Sequence, residues 1–123
     1  MKTVVLIACV KEKKNSPCKA IDMYQGNDFT SWVNYSKKIN ADKIFILSGK
    51  YGLLKPNEII APYDFNLNNA NKEYKKHWAD NVLKKLEEET NLQKDTFILM
   101  CNNIYAENLL AKIKNYSIPF NIK

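Results

Sequence analysis

Residues Phe45 to Phe65 read FILSGKYGLLKPNEIIAPYDF, and the fold turns on how this stretch breaks. An apolar run, Ile44 to Leu47, stops at Ser48-Gly49. Lys50, Tyr51 and Gly52 follow, and then Pro56 and Pro62 lead to Tyr63-Asp64. Short β-branched and aromatic runs bounded by glycine suit a strand buried on both faces. Ligands of open α/β sheets bind at the carboxyl ends of such strands. The prolines preset φ and restrict the residues before them, so Lys55 to Asp64 is expected to be a shaped loop. The plainer reading is that Gly49 and Gly52 permit a tight turn and the prolines stop a helix.

Working outward, Thr3 to Cys9 (TVVLIAC), Lys43 to Ser48 and Thr96 to Cys101 (TFILMC) carry the same signature and are expected strands. Tyr116 to Phe120 is a fourth, placed at an edge because Pro119 cannot donate to a ladder. Between them the spacing predicts a helical turn over Ala20 to Tyr24 closed by Gly26, and a helix capped by Asp28 and running through Ile39. A long helix capped by Asn69 or Asn71 follows to about Glu89, with Tyr74, Trp78, Val82, Leu83 and Leu86 in one stripe. A last helix, Tyr105 to Lys114, turns Leu109, Leu110 and Ile113 inward. The alternation predicts an α/β fold, a three-layer Rossmann-like single domain over residues 1–123, with a mostly parallel four-stranded sheet flanked by helices. Three loops then share one sheet edge: Val10 to Lys19, Ser48 to Asp64, and Asn102 to Tyr105. Their polar residues are expected to gather around a common hollow.

The chain has 123 residues and a net charge of +6, and all 19 basic residues are lysine. That balance favours a phosphate-bearing partner: a nucleotide, a nucleoside derivative or nucleic acid. Without arginine, the rigid bidentate contact to guanine and minor-groove arginine insertion are excluded. High lysine and asparagine content is also what an A+T-rich genome produces. No apolar run approaches a membrane span and no leader pattern is present, so a cytoplasmic protein with no membrane partner is expected. The three cysteines form no C-x-x-C pair, which argues against a disulfide framework or a metal site. Neither G-x-G-x-x-G nor a Walker loop occurs, so no cofactor is expected.

The residues Cys9-x-Lys11-x-Lys13, Ala20-x-Asp22-x-Tyr24 and Leu47-Ser48-Gly49-Lys50-Tyr51-Gly52-Leu53-Leu54-x-Pro56-x-x-x-Ile60-x-Pro62-Tyr63-Asp64 form a long pattern. It resembles an uncharacterised bacterial and phage family with the signatures C-S-x-x-K, A-x-D-L-Y and L-S-A-K-[YH]-G-L-L-x-P-x-x-x-I-x-P-Y-[DE]. Val10 stands where that family has serine, Gly49 replaces its common alanine, and a glycine-rich carboxy-terminal extension is expected to be shortened here. More remotely the chain is similar to the YaaA-like proteins and to the archaeosine synthase core domain. That likeness implies nucleobase or nucleic-acid chemistry.

An enzyme acting on a nucleotide at an N-glycosidic bond needs a carboxylate for an oxocarbenium-like centre, a donor for the leaving base, and an aromatic platform. Asp64, Lys50 and Tyr51 are the catalytic candidates, with Asp64 favoured over Asp22 and Glu58 because it follows a rigid Pro-Tyr between apolar residues. Lys11, Lys13 and Lys50 are candidate phosphate contacts. Tyr24, Tyr51, Tyr63 and Tyr105 supply stacking or a hydroxyl, and Ser48 and Asn102 orient the ligand. Cys9, Asp22 and Gly49 complete the candidate binding set. The alternative is a non-catalytic binder of a nucleotide or nucleic acid, such as a phage sequestering or inhibitor protein. A third reading, nucleophilic chemistry at Cys9, needs Lys11 and His77, the single histidine, close by.

Overall fold

Four consecutive residues with no exposed surface, Val4 to Ile7, form the strand to which the rest of the sheet is matched. A computed structural model describes residues 1–101 and 103–118. It begins with β1 (Thr3–Ala8), β2 (Cys18–Lys19), α1 (Ala20–Met23) and α2 (Asn27–Lys38). The chain continues through β3 (Lys43–Ser48), β4 (Gly52–Leu54), β5 (Ile59–Ile60) and a 3₁₀ turn at Leu67–Asn69. It then passes α3 (Lys72–Glu89), β6 (Thr96–Met100), α4 (Asn103–Ala106) and β7 (Asn115–Ser117). The result is a mixed α/β fold.

The main sheet has the order β4-β3-β1-β6-β7. β1 runs parallel to β3 and β6, and β7 runs parallel to β6. Because successive side chains of a strand point to opposite faces, β1 feeds two separate cores. Val4, Leu6 and Ala8 join Phe45, Leu47, Phe97, Leu99 and the α3 stripe of Trp78, Val82, Leu83 and Leu86. Val5 and Ile7 join Ile46 and Met100 with Met23, Phe29, Trp32 and Val33 of the first two helices.

The sheet has five strands, not four. Past Ser48 the chain makes a tight hairpin and returns antiparallel, with Ser48 opposite Gly52 and Ile46 opposite Leu54. Gly52 has φ +78°, the left-handed conformation that closes such a three-residue loop, and Leu53 and Leu54 are buried. The stretch after the hairpin does not hang free either. Ile59 and Ile60 pair with Lys19 and Cys18 in a small antiparallel ribbon, and Ile21 N–H and Ala20 N–H donate to the carbonyls of Pro56 and Glu58.

Two helix boundaries differ from expectation, the start of α2 and the end of the last helix. α2 starts at Asn27 behind Gly26, whose φ of +113° sets the entry. Asp28 is therefore no cap but lies in the first turn, beside the positive end of the helix. The long helix is capped by Asn71, whose Oδ1 accepts from Tyr74 N–H at 2.8 Å, although Tyr74 itself is exposed. The last helix ends at Ala106 rather than Lys114. Leu109 and Lys112 N–H donate three residues back, to Ala106 and Leu109, and the tighter turns still bury Leu109 and Ile113. The edge strand begins at Asn115, and Pro119 and Phe120 lie outside the described residues.

The amino ends of the strands are fastened by two carboxylates. Asp95 accepts Lys2 N–H at 3.0 Å and Asn91 N–H at 2.9 Å. These amide bonds hold its carboxyl below the ordinary range. Asp42 accepts Thr3 N–H at 2.7 Å. Among the described residues no helix is long and apolar enough to cross a membrane.

A Cβ at Gly52 would meet only Val82 Cγ2, at an ordinary 3.8 Å, so alanine there is penalised by backbone conformation alone. Gly52→Ala should lower the unfolding free energy by about 1–2 kcal/mol in urea denaturation at unchanged m-value. Gly52→Asn should lose less, because asparagine tolerates the left-handed region.

Candidate functional site

Ser48 closes β3 with no exposed surface, and each of its polar groups is engaged. Its carbonyl accepts Trp78 Nε1–H at 2.7 Å. Its Oγ accepts Lys50 N–H at 3.2 Å and Tyr51 N–H at 3.0 Å, and lies 2.8 Å from the Tyr63 hydroxyl. A serine hydroxyl has two lone pairs and one proton. The two amides take the lone pairs, so the proton goes to Tyr63. The Tyr63 hydroxyl in turn lies 2.7 Å from that of Tyr24, giving a buried line of hydroxyls from β3 to α1.

Neighbouring groups extend the cluster to β1. Tyr74 Oη–H donates to the Gly49 carbonyl at 3.0 Å. The Trp78 ring meets Tyr105 edge-on with centroids 5.4 Å apart, and the Tyr105 hydroxyl is 3.0 Å from Cys9 Sγ. Backbone pairing holds the first loop in place: Lys13 bridges Tyr24, Lys14 N–H donates to Met23, and Gln25 N–H donates to Glu12. The lysines expected in a loose polar loop are thus carried on a segment strapped to α1.

Two ammonium groups reach the same aromatic ring. Lys13 Nζ lies 4.6 Å from the Tyr63 centroid and 5.9 Å from that of Tyr24. Lys50 Nζ lies 5.4 Å from the Tyr51 centroid and 5.9 Å from that of Tyr63. Among the described residues the ion pairs are Lys43 and Lys55 with Glu89, and His77 with Glu73. None of them neutralises Lys11, Lys13 or Lys50.

Burial keeps the surrounding phenols neutral. It pushes Tyr24 up to about 12, with charge on nearby Cys9 the second cause, and it raises Tyr63 and Tyr105 far above the ordinary phenol value for the same two reasons, in the same order. Cys101, deep in the core, is pushed up to about 12 by burial.

The structure divides the expected site residues among three hollows. Cys9, Lys11, Lys13, Asp64 and Tyr105 line one of about 380 Å³. Lys50 and Tyr51 line another of about 500 Å³, shared with Trp78, His77 and Lys84 of α3. Asp22 and Tyr24 line a third of about 330 Å³, toward α2. The hairpin causes the split, because it turns Lys50 and Tyr51 back beside α3 instead of onward over β1. His77 sits on the α3 side and apart from the hollow of Cys9, so the arrangement needed for a Cys9–His77 pair is not formed. Ser48 and Gly49 are buried behind these hollows, and Asn102 lies outside the described residues.

Two roles expected of these residues also change. Tyr24 and Tyr105 are 3% and 6% exposed, with Phe29 and Trp78 packed on their rings, so they present hydroxyls, not stacking faces. Asp64 is exposed, without the apolar enclosure expected for it. Two groups of contributors have no counterpart among the expected site residues. Trp78 was expected only as core, yet it fixes the Ser48 carbonyl. Phe65, Asn66, Asn68 and Asn69 line the Cys9 hollow, with Asn66 Oδ1 capping the 3₁₀ turn through Asn68 N–H at 2.9 Å. The asparagine-rich run Asn66 to Asn71 was the available signal.

The chain belongs to a family of unknown function, DUF6884, whose profile matches residues 4–122. Neither a curated protein nor a solved structure gave a significant match.

Ser48→Ala would leave two amides and the Tyr63 hydroxyl without their partner, and should reduce stability by about 1–3 kcal/mol, read by chemical denaturation. Alkaline titration followed by phenolate absorbance should show Tyr24, Tyr63 and Tyr105 still protonated after the exposed tyrosines have ionised. A phenol whose folded pKa exceeds its unfolded one contributes stability that is whole below the unfolded value and lost as pH rises through the folded value. Unfolding should therefore become easier from about pH 10, the unperturbed phenol value, through the value of about 12 at Tyr24. Tyr24→Phe should flatten that decline.

Proposed function

We propose that this protein binds a nucleotide or nucleoside phosphate at the carboxyl ends of β1 and β3 and acts on its N-glycosidic bond. The observation that carries this reading is the juxtaposition, in one hollow, of Lys11 and Lys13, which no acid neutralises, with Asp64 and Tyr105. Lysines act as point charges for phosphate. The Asp64 carboxylate, exposed at the rim of that hollow, is placed to stabilise an oxocarbenium-like centre. Tyr63 and Tyr51, half-buried, are the rings still open to a base, and Lys50 supplies further charge from the neighbouring hollow. Cys9 lines the same hollow, Ser48 and Gly49 back it as buried residues, and Tyr24 and Asp22 extend the binding surface from the third hollow.

The same reading takes the fold as a three-layer Rossmann-like arrangement, supported by the two cores fed from alternate residues of β1. It takes the lysine, tyrosine and Pro-Tyr-Asp pattern as that of the bacterial and phage family it resembles. The likeness to YaaA-like proteins and to the archaeosine synthase core supports a role in nucleotide or nucleic-acid modification. A second reading is a binder without catalysis, favoured by the open setting of Asp64, which lacks the apolar surroundings that raise a catalytic acid. A pocket for one nucleotide would show a shallow salt dependence, and a groove for long nucleic acid a steep one.

Incubation with a panel of nucleosides and nucleotides, analysed by chromatography, should reveal release of a free base. Asp64→Asn should slow that release about 10²–10⁴-fold while leaving ligand-induced thermal shifts in place. Binding without any product selects the binder reading. If Lys11→Ala and Lys13→Ala leave every ligand response unchanged, both readings fail.

A further inference from the structure

The hydroxyl line holds three protons but only two bonds between its members. Ser48 Oγ has both lone pairs filled by Lys50 and Tyr51 N–H and must donate to Tyr63. Between Tyr63 and Tyr24 a single proton makes the 2.7 Å bond. Cooperative polarisation favours a continuous chain from Ser48 through Tyr63 to Tyr24, which leaves the Tyr24 proton without an acceptor among the described residues. If the last bond is reversed, the unmatched proton is on Tyr63. In either setting one phenolic proton of this part-buried pair is left over from the bonds within the line, free to donate to a group that arrives at the site.

The same place carries an excess of positive charge. Lys13 and Lys50 both lie within 6 Å of the Tyr63 centroid, with no carboxylate in ion-pair range among the described residues. Lys13 uses one N–H on the Lys11 carbonyl, so two remain. A group that accepts hydrogen bonds without donating, and that carries about two negative charges, answers both surpluses. A phosphate monoester fits: it has three terminal oxygens and a charge of about −1.5 to −2 at pH 7. A phosphodiester has two terminal oxygens and one charge, and so leaves one ammonium unmatched.

Resting on the proposed phosphate-binding role, we infer that this site selects a terminal phosphate monoester over the phosphodiester of a nucleic-acid strand. The phosphate is seated at the Tyr63 ring, which the Lys13 and Lys50 ammonium groups approach from two different hollows, and takes the left-over phenolic proton of the Tyr24–Tyr63 pair.

Calorimetric titration of the whole protein with adenosine 5′-monophosphate, its 5′-phosphate methyl ester, adenosine and inorganic phosphate separates the possibilities. The monoester should bind about tenfold or more tightly than the methyl diester, and adenosine should bind weakest. Binding of inorganic phosphate as tight as that of the nucleotide assigns the site to free phosphate and overturns the nucleotide form of the inference. Lys13→Gln and Lys50→Gln, surface changes that keep the fold, should each weaken the monoester several-fold and narrow its lead over the diester. Tyr24→Phe should weaken the monoester selectively, and if it does not fold, the two lysine variants decide. Equal affinities for monoester and diester, no measurable binding of either, or lysine variants that leave the ratio unchanged would overturn the inference. Absence of base release from any nucleotide would remove the enzyme reading and leave this selectivity standing.

Discussion

One buried oxygen organises the carboxyl end of the sheet. Ser48 Oγ ties the hairpin amides to Tyr63, while its own carbonyl anchors Trp78 of α3. A satisfied buried hydrogen bond is worth only about 0.5–1.5 kcal/mol net, whereas an orphaned buried donor costs about 1–3 kcal/mol. The cluster is therefore held together by the penalty of breaking it more than by the gain of making it. Four segments depend on this one residue: β3, the hairpin, the Pro62–Asp64 turn and α3.

The fastening and the candidate site sit at opposite ends of the strands. Asp95 and Asp42 clamp the first residues of the chain at the amino ends. The lysines, tyrosines and Cys9 gather at the carboxyl ends, where β1, β3 and β6 stop. Gly49 marks how tightly the two halves of the site are pressed together. A Cβ there would come within 3.3 Å of Leu67 Cβ and 3.4 Å of Leu67 N, so an alanine would have to push the 3₁₀ turn outward here. That turn carries the asparagines lining the Cys9 hollow, so this one substitution and the shape of the hollow are linked.

Much of the fold was legible because it rests on local composition. The three inner strands were recoverable from unbroken β-branched runs, and their parallel pairing from the helices between them. β4 was not, because Gly52 to Leu54 is too short to show a period and becomes a strand only through its pairing with Ile46 to Ser48. The end of the last helix was misjudged since Leu109 and Ile113 are spaced as well for tight turns as for a helix. At the site, the motif residues were visible, but their directions were not. Whether Lys50 faces β1 or α3 depends on which way a hairpin turns, and whether Tyr24 offers a ring or a hydroxyl depends on Phe29 arriving from another element. Lone-pair occupancy at Ser48 leaves no trace in spacing at all.

The order of strands has a consequence for how the molecule is made. β1 precedes both of its neighbours, which come from residues 43–47 and 96–100, so its second side stays unpaired until the later of these has been made. Such long-range pairing is slow to close and leaves an apolar ribbon open to wrong partners in the meantime. The charged segment Lys11 to Lys14 directly after it is well placed as a gatekeeper against aggregation. The lysines at the carboxyl end of β1 would then have a duty in the nascent chain, before the fold is complete.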